Sequence, residues 1–268
     1  MKKVLGLITS LVLMVSLVGC GATGQNADQA KNSAPAAQKE ITISAAASLQ
    51  DSLTEIQKKY TQQNPGIKLT FNFGASGTLQ QQIEQGAPAD LFISAGKSQV
   101  DNLEAKNLTT KESRVNLLNN TLVLVVGKDN TKITAIQDLT KSDVKQISIG
   151  TPESVPAGKY AQESLKNLKL WDALQSKMVL AKDVTQVLNY VETGNVDAGF
   201  VYASDAKGST KVKVVATAPA DSHSAIVYPA AIVASTKNKA EAEAFLKYLQ
   251  GSEAQQIFAN YGFQTITK

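Results

Sequence analysis

Five short loops carry hydroxyls and small residues at places where an anion can be held. They are residues 45–48 (AAAS), 74–78 (GASGT), 155–158 (VPAG), 183–185 (DVT) and 201–203 (VYA). The first four lie at or just before the start of a helical pattern, and the fifth lies at the end of a strand pattern. A helix start leaves backbone N–H groups without internal acceptors and carries the positive end of the helix dipole, so both effects favour a negative guest. Ser48, Ser76 and Tyr202 add hydroxyl donors, while Ala157 and Val184 add backbone N–H groups without side-chain bulk. No lysine or arginine falls within these loop cores, although Lys159 and Lys182 adjoin them. Each hydrogen bond to a charged group contributes about 1.5–3 kcal/mol. A set of five or more reaches micromolar affinity, about −8 kcal/mol, after the costs of association.

Each residue also has a plainer reading. Ser48 and Ser76 are ordinary helix caps. Ala157 is a small residue beside Pro156, a residue type favoured at helix starts. Val184 is a first-turn core residue, and Tyr202 a half-buried strand aromatic with its hydroxyl in water. Asp90 reads as a strand-entry turn residue. A hydrolase is the rival from another class. GASGT nearly matches the G-x-S-x-G nucleophile elbow, but Thr78 replaces the last glycine. The single histidine, His223, would have to complete a triad with Ser76. No paired carboxylates or metal-ligand spacing accompany them, and His223 reads better as a surface loop residue. A ferric site built from tyrosines fits poorly, because the tyrosines are scattered mostly over helical patterns.

The elements that must position these loops follow from apolar periodicity. Residues 41–44 alternate as a strand, and Leu49, Leu53 and Ile56 then repeat at helical spacing, which puts Ser48 where a cap belongs. Residues 67–73 form a second strand before a helix that starts near Leu79. Further strands are expected at 90–94, 121–126, 146–150, 198–202, 212–217 and 226–234. Helices are expected at 100–105, 160–168, 184–193, 240–249 and 253–261, with Asp183 as a cap and Gly194 as a stop. Strands alternating with helices imply an α/β chain with parallel sheets.

The chain has 268 residues, 43% hydrophobic, enough for one large or two medium domains. Lys2 and Lys3, the apolar run 4–18 and Gly19-Cys20 make a secretory leader. The run is short for a membrane span. LVGC at 17–20 resembles a bacterial lipobox, which would lipidate Cys20 and anchor the chain to the membrane. Cys20 is the only cysteine, so no internal disulfide can form. Residues 21–38 are rich in Ala, Gln, Asn, Ser and Gly and read as a flexible tether. The formal charge of +4 becomes +2 once the two leader lysines are removed. Scattered charges give no basic stripe for nucleic acid.

Several segments together resemble the molybdate-binding proteins of bacterial ABC importers. They are AAASL (45–49), FGASGTLQQQIEQGAPADLFISA (73–95), TPESVPAGKYAQESL (151–165) and DVTQVLNYVETGNVDAGFVYASDA (183–206). VKVVATAPADSHSAIVYPAAIV (212–233) and IFANYGF (257–263) extend the match over about residues 40–268. The resemblance implies the two-lobed type II periplasmic-binding-protein fold with ligand in the cleft between lobes. With the leader, a signal peptide, read above as 1–19 and the lipidated cysteine and tether as 20–39, it returns the last segment to the first unit, giving 40–120 plus 223–268 as lobe 1 and 121–222 as lobe 2. It carries oxyanion contacts to Ser48, Ser76, Ala157, Val184 and Tyr202, with Gly77 standing where some members have serine. It implies a binding protein rather than an enzyme, with no cofactor and no free metal cation. The expected guest is molybdate or tungstate, handed to a membrane permease by a monomeric, extracytoplasmic, lipid-anchored receptor. Sulfate and phosphate would be excluded, by cage size and by a donor-only lining that offers a protonated oxygen no acceptor. A receptor for one of those two anions is the alternative.

Overall fold

The computed structural model describes residues 38–266. The leader, Cys20 and the tether up to residue 37 lie outside the described residues. The strands form two sheets, each flanked by helices.

The first sheet has the order β11-β4-β10-β3-β1-β2. Its strands are β1 (Lys39–Ala46), β2 (Ile67–Gly74), β3 (Leu91–Ile93), β4 (Val115–Asn119), β10 (Val227–Ile232) and β11 (Gln264–Thr265). β1 runs parallel to β2 and β3, while β10 is antiparallel to β3 and β4. The second sheet has the order β7-β6-β8-β5-β9. It comprises β5 (Leu122–Gly127), β6 (Ile147–Gly150), β7 (Met178–Ala181), β8 (Ala198–Tyr202) and β9 (Val212–Thr217). β6 is parallel to β7 and β8, whereas β5 is antiparallel to β8 and β9. The sheets are therefore mixed, not parallel as the strand–helix alternation implied. The reason is that β5 and β10 are the strands reached by crossing from one sheet to the other, and each arrives running against its neighbours.

The helices are α1 (Gln50–Gln63), α2 (Ser76–Glu84), α3 (Lys97–Ala105), α4 (Pro156–Asn167), α5 (Trp171–Leu174), α6 (Val184–Glu192), α7 (Ala203–Lys207), α8 (Lys239–Leu249) and α9 (Ser252–Asn260). In the first sheet α1, α8 and α9 lie with β2 and β10 around Tyr60, Phe245 and Phe258. On the same sheet α2 and α3 build a second cluster of Leu79, Ile83, Phe92, Val100 and Leu103. Coverage of both faces explains why β3 (LFI) and β10 (VYPAAI) are buried along their whole length. Pro229 sits inside β10 at the point where its register with β4 shifts, a place where a missing N–H is tolerated. β4 and β7 were not expected, because neither short segment alternates apolar and polar residues cleanly. Gly194, at φ 71°, ends α6 in the left-handed conformation expected of a stop residue.

Candidate functional site

The carboxyl end of β1 runs into a single 3-10 turn, Ala47–Leu49, before α1. Ser48 lies inside that turn, which Ala46 caps, and Leu49 takes the cap position of α1, so the expectation that Ser48 caps the helix fails. Its Oγ lies 2.9 Å from the Oη of Tyr228 instead. Ser76 is likewise the first residue of α2 and not its cap, which is Ala75. Its Oγ accepts the N–H of Ala95 at 3.0 Å. In both cases a partner from another segment, Tyr228 on β10 or Ala95 in the loop after β3, has drawn the hydroxyl away from its own helix. Ser76 is buried and Ser48 half-buried.

The second sheet contributes the other loops. Pro156 opens α4, where its fixed φ suits a helix and its missing N–H leaves no orphan. Ala157 follows it, fully buried. Asp183 caps α6 by accepting the N–H of Gln186 at 2.8 Å, as its sequence position predicts. Val184 follows in the first turn of α6. Tyr202 ends β8 with 1% of its surface exposed, so its hydroxyl is not in water as the plainer reading supposed. Its Oη is buried with no hydrogen-bond partner among the described residues. Burial holds the phenol well above its ordinary pKa, which keeps the proton on Oη.

Ser48, Ser76, Ala157, Val184 and Tyr202 all line one cavity of about 10 Å³. That volume is about the least that holds a single water molecule, so the loops must part to take in a larger guest. Ala46, Gly74, Ala95 and Pro156 complete most of its wall, and Asp183 supplies the one carboxylate. No lysine or arginine stands in the lining; Lys159 and Lys182 border other clefts. First-turn amides of α2, α4 and α6 have no acceptor within their own helices. The loops of the two sheets also touch: Gly77 N–H donates to Ser154 O at 2.8 Å, and Tyr160 Oη donates to Ala95 O at 3.4 Å. The arrangement can therefore surround one compact acceptor-rich guest with donors from two sheets.

Behind Ser48 lies a polar cluster that sequence reasoning missed. Tyr228, fully buried on β10, meets Ser48 on one side and the Nδ2 of Asn120 at 3.3 Å on the other. Asn120 also donates to Ser204 Oγ at 2.8 Å. A tyrosine before a proline in a buried strand was the available signal. Next to the cluster a larger cavity of about 200 Å³ is lined by Asp51, Glu192 and Asp205 among others. Burial, with Asp51 and Asp183 nearby, pushes the Asp205 carboxyl up to about 7 against the pull of the Tyr202 N–H.

The residues of the hydrolase alternative are not joined. Ser76 Oγ is engaged by Ala95 N–H, whereas His223 Nδ1 lies 2.8 Å from the carbonyl of Ser224 and does not line the cavity. Among the described residues no group of three or more His, Cys, Asp or Glu side chains is placed to hold a metal ion.

Comparison with known proteins gives a consistent likeness. The family model described as bacterial extracellular solute-binding protein matches residues 41–264. A Bacillus subtilis protein, provisionally named an ABC transporter substrate-binding lipoprotein, is 46% identical over 98% of both chains. The molybdate-binding protein of Haemophilus influenzae is 40% identical over 85% of this chain and 91% of its own. The solved periplasmic molybdate-binding protein of Azotobacter vinelandii superposes with a TM-score of 0.78 at 26% identity, covering 85% of this chain and all of that one.

Proposed function

We propose a function from one premise: this chain belongs to the bacterial extracellular solute-binding proteins, the substrate-binding components of ABC transporters, with molybdate-binding proteins among its relatives. It captures molybdate or tungstate in the cavity between the two sheets and delivers the ion to a membrane permease. The observation that carries this reading is the lining itself. Ser48, Ser76, Ala157, Val184 and Tyr202 meet there without a lysine or arginine, and Tyr202 brings a buried hydroxyl with no protein partner. A buried donor left unpaired costs about 1–3 kcal/mol, which an anionic guest would relieve. In a water-poor cavity, hydrogen bonds to a dianion are stronger than to a neutral molecule.

Residues 40–120 with 223–268 act as one lobe and 121–222 as the other. Both lobes donate to the same ion, so binding favours their approach. The receptor works as a monomer outside the cytoplasm, tethered by lipid on Cys20, and carries no cofactor of its own. Among the described residues no helix is long and apolar enough to cross a membrane.

Calorimetric titration of the purified protein with molybdate, tungstate, sulfate and phosphate tests this function. The expected result is binding of the first two at micromolar affinity or tighter, with little heat from the others. Preference for sulfate or phosphate would replace the reading with the alternative oxyanion receptor.

A further inference from the structure

We propose that Tyr228, oriented by Asn120, is a positioning residue that makes the Ser48 hydroxyl act solely as a donor toward the cavity. The inference deepens the oxyanion reading above and rests on it.

The direction of each bond follows from what each group can give. Thr121 N–H donates to Asn120 Oδ1 at 2.9 Å, which commits the amide oxygen to the backbone. The Asn120 NH₂ group therefore faces the other way, toward Ser204 Oγ at 2.8 Å and Tyr228 Oη at 3.3 Å. With the Tyr228 oxygen accepting from Asn120, its single proton goes to Ser48 Oγ, 2.9 Å away, because the neighbouring Tyr202 hydroxyl makes no hydrogen bond. Ser48 then accepts from behind, and its own proton is left for the cavity that it lines. Ser76 is arranged in the same way by a different partner, because its Oγ accepts Ala95 N–H. Two hydroxyls from one sheet are thus presented in donor orientation before any guest arrives. A guest whose oxygens are all acceptors suits this arrangement, whereas one carrying an O–H finds both serine oxygens engaged.

The relay starts at a meaningful place. Asn120 occupies the crossover between β4 and β5, where the chain leaves the first sheet for the second. Asn120 and Tyr228 are both buried, so water does not compete for these bonds.

A double-mutant cycle on the purified protein tests the relay. Tyr228→Phe keeps the ring and removes the donor; Ser48→Ala removes the hydroxyl it orients. The expected outcome is a loss of molybdate affinity on the order of tenfold for each, with the double variant no weaker than Ser48→Ala alone. Additive losses, or wild-type affinity in Tyr228→Phe, would overturn the proposal. NMR of the ligand-free protein separates this failure from that of the functional reading. The Tyr228 hydroxyl proton should show a cross-peak to the Ser48 β-protons, lost in Asn120→Asp, where the introduced carboxylate takes the proton. A wild-type proton turned toward Asn120 sinks the relay whatever binds. A proton facing Ser48 in a protein that ignores molybdate and tungstate sinks only the functional reading.

Discussion

The backbone N–H of Gly77 donates to the carbonyl of Ser154 at 2.8 Å, joining the first turn of α2 to the loop before α4. A Cβ at position 77 would stand 2.7 Å from that oxygen and 2.8 Å from the Ser154 Cα. The two sheets' loops can come this close only because residue 77 has no side chain. Gly77→Ala should therefore weaken oxyanion binding by tenfold or more while leaving the unliganded melting temperature within a few degrees. Small-angle scattering with saturating molybdate should show a more open particle than wild type; an equally compact, equally tight complex would refute the point.

Gly158 makes an equally close approach with a different consequence. Its Cβ would lie 1.8 Å from Gly150 O, inside one sheet–helix layer, where α4 packs on β6. Gly158→Ala must push α4 off the sheet and should cost about 1–3 kcal/mol or more. Urea unfolding measures it, and a midpoint unchanged from wild type would contradict the packing described.

Tyr202→Phe should act with opposite signs on stability and binding. Removing a buried hydroxyl that has no partner relieves its desolvation, so the unliganded protein should melt at the same temperature or higher. Molybdate affinity should fall by about tenfold. Melting curves with and without ligand test both halves in one experiment.

Ser76→Ala removes a cavity donor and leaves Ala95 N–H without its acceptor. Affinity should fall about tenfold, with a stability loss of about 1–3 kcal/mol from the unpaired buried amide. Calorimetry that finds wild-type affinity would remove Ser76 from the binding set.

Asp205 gives the fold a pH dependence of predictable sign. Its carboxyl titrates near 7 in the folded chain against an ordinary 3.8. Between about pH 4 and 7 the folded state holds a proton that the unfolded chain has lost, so this group's contribution to stability falls as pH rises through that window and is level above it. Asp205→Asn should flatten that component and raise stability most at pH 8. Denaturation midpoints at pH 5 and pH 8 provide the check, and an unchanged difference between them would contradict the assignment.

Sequence alone carried the reading unevenly, and the physical reasons differ by element. Strand, small-residue loop, helix is a local pattern, so the segments holding Ser76, Ala157 and Val184 could be found by periodicity. Asp183 caps α6 as its position implies, because capping needs only neighbours three residues away. Ser48 was misread as a cap because its real partner, Tyr228, stands 180 residues away on another strand. The antiparallel placement of β5 and β10 was hidden for the same reason, since pairing between distant strands leaves no mark on the spacing within either one. Gly77 was noticed only as a missing hydroxyl; its closeness to Ser154 is a property of the folded chain.

The absence of lysine and arginine from the cavity wall bears on unloading. A charge buried among hydrogen-bond dipoles, with the Asp183 carboxylate as the one ionisable side chain beside it apart from the Tyr202 phenol, is screened little by the ionic atmosphere, so raising the salt concentration should barely loosen the cargo. No mobile cation competes for it and no side chain can be neutralised to let it go. Discharge then becomes a mechanical event, in which whatever pries the Gly77 and Ser154 backbones apart also empties the compartment.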